Sequence, residues 1–250
     1  MEERDTLANL RDLKRRSYCR GMVVYTGFLS PGDLSVAESE PPETEVSSYG
    51  GAPFAERKVV RFGAPLHGKK EEDYSDFPIR IVKIETRGEK FAPDLTHRDY
   101  LGALLGLGIE REAVGDVFVS GKTAYAAVLS SVADFIKQGL DAVGRAKVDT
   151  TFVSSVPESF APKMQEVRFS VSSLRLDAVL ARLYGLSRED AGKLLEEKRV
   201  SCQGRAILKT SYVPKEGEVF AVRGYGKFVF GSVVGETRKG KLSVTAEKYV

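Results

Sequence analysis

Between residues 77 and 156 the spacing of apolar residues switches repeatedly between alternation and helical periodicity, and few folds accommodate the resulting order of elements. Residues 77–85 alternate and are rich in β-branched side chains, which predicts a strand. Thr96, followed by Asp99, offers a capping box, and Tyr100, Leu101, Leu104 and Leu105 form the apolar stripe of the helix it opens. Residues 116–120 and 123–129 read as strands around a Gly121-Lys122 turn. Ser131 caps a helix running to Leu140, with Val132, Phe135, Ile136 and Leu140 on one face, and residues 147–156 supply a last strand.

The order β-α-β-β-α-β is the ferredoxin-like split arrangement. RNA-recognition-motif (RRM) domains share it and read bases with aromatics on the two central strands. The third strand here offers only Tyr125, and the RNP sequence pattern is absent, so base reading from the sheet face is not expected.

The flanks differ from this centre. Leu7, Leu10, Leu13 and Tyr18 predict an amphipathic helix over 3–18 with a basic outer face. Gly27, Pro31-Gly32 and Pro41-Pro42 then break regular structure, and short strands are expected near 45–49 and 57–62 around Gly50-Gly51. The polar stretch 67–76 is a first linker and 157–162 a second. Beyond it, Ser172-Ser173 cap a helix carrying Leu176, Val179, Leu180 and Leu183, which Gly185 ends. Ser187 and Asp190 open another with Ala191, Leu194 and Leu195. Short strands follow at 200–202, 219–222, 228–234 and 242–246, with a Gln203-Gly204 turn and a hairpin at 235–241. The expected architecture is α+β in three parts: an N-terminal α+β unit (1–74), a ferredoxin-like, RRM-like domain (75–160) and a C-terminal domain (161–250).

Charge is distributed unevenly over these parts. The total of 38 Lys and Arg against 35 Asp and Glu, net +3, conceals 16 against 9 in residues 167–250, net +7, and 22 against 26 in residues 1–166, net −4. A small basic module on a mildly acidic body is suited to a polyanion. Two cysteines make no disulfide scaffold, and with His67 and His97 the only histidines no zinc cluster forms, so neither a metal nor a cofactor is expected. The opening residues lack an apolar signal core and no apolar run approaches about 18 residues, which predicts a cytoplasmic protein with no membrane partner.

The cations of the last part follow its helices. Arg175 and Arg182 are seven apart and share a helix face opposite the leucines. Arg188 follows the Ser187 cap in a first turn whose backbone N–H groups also favour phosphate. Lys193, Lys198 and Arg199 continue the cationic surface, and Asp177 is placed to orient an arginine rather than to catalyse. A second basic spot comprises Arg11, Lys14, Arg15 and Arg16 of the first helix, which Arg57, Arg61, Arg98 and Arg111 could extend into a second RNA-contacting face.

Catalytic signals fail on context. His97-Arg98-Asp99 has no kinase companions, no nucleophile elbow appears, and Gly121-Lys122-Thr123 lacks the first glycine of a phosphate loop. The glycines of 102–108 follow a helical stripe, so they mark a helix terminus rather than a cofactor turn. No catalytic residue is assigned.

Residues 174–182 (LRLDAVLAR), 186–193 (LSREDAGK), 199–205 (RVSCQGR) and 215–227 (KEGEVFAVRGYGK) together resemble the αL-like RNA-binding domain of ribosomal protein S4. Gln203-Gly204 stands where that family has Asn-Gly, and Gly217-Glu218 where it has Gly-Asp. With 25–31 (YTGFLSP), 49–57 (YGGAPFAER) and 96–112 (THRDYLGALLGLGIERE), essentially the whole chain resembles the bacterial YlmH-type proteins, ribosome-associated S4-domain proteins named for a place in the cell-division gene cluster. The resemblance implies a large-subunit partner, contacts with rRNA and tRNA, and a role in quality control or rescue of stalled translation complexes. On that basis Arg175, Arg182, Ser187, Arg188, Lys193, Lys198 and Arg199 are expected to meet rRNA. Arg223, Tyr225 and Lys227 are expected to reach a neighbouring strand or tRNA, Tyr225 by stacking on a base, and the chain is expected to act as a monomer. Two alternatives stay open: an RNA-modifying enzyme of pseudouridine synthase or methyltransferase type with its active site in residues 1–160, and a protein-binding module using the ferredoxin-like sheet.

Overall fold

Leu7, Leu10 and Leu13 fall along one side of α1 (Glu3–Arg20), the first element of a computed structural model that describes residues 3–39, 44–64, 74–88 and 94–250. The stripe that α1 buries is Leu10, Lys14 and Ser17, spaced at i, i+4 and i+7, whereas Tyr18 is 64% exposed. Lys14, expected on the basic outer face, thus lies on the inner one. A charged residue in an apolar stripe is invisible to a periodicity that counts only leucines.

After β1 (Val24–Leu29), Pro31-Gly32 opens a helix, α2 (Pro31–Ser39), where a break was expected. Proline suits this place because the first helical N–H needs no partner and its φ is already helical. The Ser30 hydroxyl accepts the Asp33 N–H (3.2 Å) and donates to the Asp33 carboxylate (2.6 Å). Gly27 likewise sits within β1, beside a register shift where the Thr26 hydroxyl takes up the Val60 N–H (2.9 Å). With β2 (Val46–Tyr49) and β3 (Lys58–Phe62) this strand forms an antiparallel sheet of order β1-β3-β2, packed over Leu10, Val36, Ala37, Val60 and Phe62. The polar stretch expected as the first linker falls largely outside the described residues.

The central periodicities produce β4 (Ile79–Thr86), α3 (His97–Gly106), β5 (Val114–Ser120), β6 (Thr123–Leu129), α4 (Ser130–Gly139), a short β7 (Ala142–Val143) and β8 (Ala146–Val153). Their antiparallel sheet has the order β5-β6-β4-β8-β7. The Asp99 carboxylate accepts both the N–H and the hydroxyl of Thr96 (2.7 Å each), which fixes the start of α3. One sheet face, with Val82, Ile84, Ala126 and Val128, meets Tyr100 and Leu104 of α3 and Ala133 and Ile136 of α4. Phe135 is 55% exposed: the buried stripe runs through Ala133, Ile136 and Leu140, one residue round from the face expected. The opposite sheet face, with Ile81, Tyr125 and Ala127, is covered by Phe28, Ala52, Ala55, Phe77 and Val156. The strands therefore divide their side chains between two cores.

Residues 1–161 form one unit and residues 162–250 another. The second begins with a strand absent from the sequence expectations, β9 (Met164–Val171). It continues through α5 (Leu176–Tyr184), α6 (Arg188–Glu196), β10 (Val200–Cys202), β11 (Arg205–Ala206), β12 (Val219–Val222), β13 (Gly226–Glu236) and β14 (Leu242–Tyr249). The sheet order is β11-β10-β12-β13-β14-β9, antiparallel throughout. Leu176, Val179 and Leu180 of α5 and Leu194 and Leu195 of α6 pack against Phe220, Phe228 and Val244 of the sheet. Gln203 (φ 47°) and Gly204 (φ 77°) make the tight turn expected between β10 and β11. The chain is thus α+β, with mixed helices and antiparallel sheets in both units. No helix among the described residues is long and apolar enough to cross a membrane.

Candidate nucleic-acid interface

The first turn of α5 builds a charged node. Arg175 is the residue before the helix (φ −64°, ψ 138°), so α5 starts three residues later than the Ser172-Ser173 cap predicts. The Leu176 N–H is taken by the Tyr212 carbonyl (2.7 Å), so the chain after β11 supplies the partner that a serine cap would have given. Asp177 is 6% exposed, and its carboxylate accepts from the Ala178 N–H (2.9 Å), Arg175 Nε (3.2 Å) and Arg188 Nη2 (2.7 Å). Arg175 Nη2 also reaches the Thr210 hydroxyl (3.2 Å). Burial pushes the Asp177 carboxyl upward, but the hydrogen bonds and charges of Arg188 and Arg175 outweigh it and hold its pKa below the usual carboxylate range.

One carboxylate thus holds two guanidinium groups whose side chains stay 45% and 52% exposed. A guanidinium carries five N–H donors, so Asp177 leaves several on each arginine for an external anion. Fixing the pair in advance lowers the ordering cost of binding. Asp177 does orient an arginine, and it orients two.

The neighbouring predicted residues separate. Arg182 is exposed on α5 but makes no ion pair among the described residues, and with Arg175 outside the helix the two do not form the single helical face expected. The Ser187 hydroxyl accepts the Asp190 N–H (3.0 Å) and donates to the Asp190 carboxylate (2.7 Å), so it serves as the cap of α6 rather than as a free contact. Lys193 pairs with Glu189 (2.7 Å) one turn earlier on the same helix. Such exposed pairs contribute roughly 0.3–0.5 kcal/mol, too little to withhold Lys193 from a polyanion.

A second group of cations assembles where α6 leads into β10. Arg199 Nη2 donates to the Arg223 carbonyl (2.9 Å), and the Arg223 N–H donates to the Arg199 carbonyl (2.8 Å). This exchange clamps the end of α6 to the turn between β12 and β13. Gly224 (φ 88°) sits under the clamp, where a Cβ would lie 3.1 Å from Arg199 Nη2, so both backbone conformation and space select glycine. Beside the clamp lies an open groove of ≈ 390 Å³ lined by Lys198, Arg199, Arg223 and Lys227 with no carboxylate among its lining residues. Tyr225 is 39% exposed, its ring 5.2 Å from that of Tyr184, which in turn lies under Lys248 Nζ (5.0 Å). Burial pushes the Tyr184 phenol up to about 12.

The second basic spot is only partly a surface. Arg11, Arg15 and Arg16 are exposed, Arg16 pairing with Asp12 (2.5 Å), while Lys14 is buried. Arg61, expected to extend this face, is 2% exposed and directed at Glu45 (3.6 Å) and the Phe77 ring (5.5 Å). Arg57 donates to the Phe28 carbonyl, and Arg111 to the carbonyls of Val114 and Gly115. These three arginines tie backbone together and do not form a face; Arg98 remains exposed. Their centre is a residue no sequence signal marked: Asp116, whose carboxylate accepts the N–H groups of Glu56 (2.6 Å) and Arg57 (2.9 Å). Burial raises its pKa against those two bonds. Among the described residues no three His, Cys, Asp or Glu side chains are grouped to hold a metal.

Fold and charge together define an α+β protein whose second unit presents two arrays of fixed cations. Over residues 72–155 the chain matches a family described as "Putative RNA-binding domain in YlmH". It is 31% identical over 227 residues, covering 89% of this chain and 86% of the relative, to the "Ribosome-associated protein quality control protein P2" of Bacillus subtilis (strain 168). The solved "Cell division protein ylmH from Streptococcus pneumoniae" aligns with 61% of this chain and 92% of its own, at 22% identity and a TM-score of 0.49. This chain belongs to the YlmH family.

Proposed function

We propose that this protein is a ribosome-associated RNA-binding factor that performs no chemistry of its own. Residues 161–250 act as an S4-like domain that docks on structured rRNA of the large subunit, with tRNA within reach of Arg223, Tyr225 and Lys227. The ferredoxin-like domain (75–160) and the N-terminal unit (1–74) complete a monomer working in the cytoplasm, in quality control or rescue of stalled translation complexes. The observation that carries this reading is the pair of cation arrays in one small unit. Arg175 and Arg188 are held on buried Asp177, and Lys198, Arg199, Arg223 and Lys227 line a groove without a carboxylate. Phosphates spaced along a folded RNA match fixed cations of this kind, and neutralising them releases counterions. The name of the Bacillus relative supports the ribosomal setting, and the family description supports RNA as the ligand, placing an RNA contact in residues 72–155 as well. Asp177 is engaged by two arginines, which speaks against an acid, base or nucleophile in the best-formed charged site.

Crosslinking the protein to RNA in cells and sequencing the attached fragments tests this. Enrichment of large-subunit rRNA, with tRNA beside it, is the expected result. Crosslinks scattered over messenger RNA in proportion to abundance, or none, would overturn it.

A further inference from the structure

The sheet face opposite α3 and α4 is covered almost throughout, but the cover leaves one cavity of ≈ 380 Å³ over the paired ends of β4 and β8. Its walls are of two kinds. Tyr49 and Tyr74 stack face to face (centroids 4.3 Å apart, planes 7° apart), and both meet the Phe77 ring edge-on at 5.8 and 6.0 Å. Tyr74 is the outer ring of the stack and is 40% exposed. Across the cavity the Phe152 ring carries two cations, the Arg80 guanidinium at 3.8 Å and Lys137 Nζ at 4.9 Å, answered by the single carboxylate of Asp134 at 3.5 Å from Arg80.

We infer that this cavity takes one unpaired base of single-stranded RNA, an inference that rests on the RNA-binding role proposed above. The volume suits a small planar group, pockets for such ligands starting at about 300 Å³. A base adds a ring to an aromatic stack irrespective of its identity, and the cations beside the aromatics suit the phosphates on either side of it. An apolar or proline-rich peptide would use the tyrosines but leave the excess positive charge unanswered. All lining residues except Tyr49 and Gly51 lie within the segment matched by the RNA-binding family description. The aromatics come from outside the two central strands: Tyr125, the sheet aromatic that the sequence singles out, is buried against Phe160 (4.7 Å) and open to nothing.

The full-length chain, irradiated with a short single-stranded RNA carrying thiouridine and then digested for mass spectrometry, tests this. Crosslinks are expected at Tyr74 or Phe152, and they should persist in the Arg175→Ala/Arg188→Ala double variant, which disables the proposed docking site of the second unit. Tyr74→Ala should lower affinity for the single strand by about tenfold, Tyr74→Trp should retain it, and Arg80→Gln should weaken it severalfold. Tyr74 is a rim residue, so the melting temperature of these variants should stay near that of the parent. Crosslinks confined to residues 162–250, or an affinity indifferent to Tyr74→Ala and Arg80→Gln, would overturn the base pocket and leave large-subunit docking standing. Loss of every RNA crosslink together with loss of large-subunit binding would overturn both.

Discussion

Arginine is turned inward in the first unit and outward in the second. Arg57, Arg61 and Arg111 serve backbone carbonyls and Glu45 around a sheet covered on both faces. Arg175 and Arg188 instead hang on the rim of a buried carboxylate with about half of each side chain in solvent. A count of charges along a sequence does not distinguish the two uses. The net −4 of residues 1–166 includes cations that no partner can reach, so the first unit presents even less positive charge than its total implies. The net +7 of residues 167–250 is carried mainly by side chains still able to meet phosphate.

The largest effect that would sharpen this contrast is on stability in the first unit. Asp116→Ala strands the N–H groups of Glu56 and Arg57 and should cost about 3 kcal/mol, read by chemical denaturation, with no change in the salt dependence of RNA binding. Next, Arg61→Ala removes a buried cation from Glu45 and Phe77. It should cost about 2 kcal/mol and again leave RNA binding alone.

The two buried carboxylates should respond to acid with opposite sign. Asp177 has a depressed pKa in the fold, so the stability it lends is fully present above its unfolded value of about 4 and is lost as pH falls through the folded value. Asp116 has a raised pKa, so its ionisation on going from acid to neutral pH costs stability that acidification restores. Hydrogen exchange followed unit by unit between pH 3 and 6 should show acid loosening around α5 that Asp177→Asn reduces. Asp116→Asn should flatten the opposite trend around residues 56 and 57. The smallest effect is that of Arg182→Ala, within about 0.5 kcal/mol of the parent in stability, with the salt slope of RNA binding lowered by about one if Arg182 meets a phosphate.

What the sequence discloses follows the range of the interactions. The Thr96–Asp99 and Ser187–Asp190 caps span three residues each and stand in the structure as their spacing predicts. Arg175 lies two residues from Asp177, so one arm of the charged node was legible, but Arg188 reaches it from eleven residues away on another helix. Asp116 binds backbone about sixty residues distant, a pairing with no local trace. In β9 the alternation of Val167, Phe169 and Val171 was present, yet the strand follows a proline-punctuated stretch and its partner β14 lies at the far end of the chain. Lys14 illustrates the converse error: its charge predicted an outer position, and packing of α1 against the first sheet overrode it.

The central claim is that outward cations of the second unit hold RNA. Binding of the full-length protein to purified large ribosomal subunits, measured across a salt series for the parent and for the Arg175→Ala/Arg188→Ala double variant, tests it most directly. The account predicts weaker binding at every salt concentration and a slope of log affinity against log salt shallower by about two, one for each phosphate contact removed. An affinity and slope equal to those of the parent would contradict it.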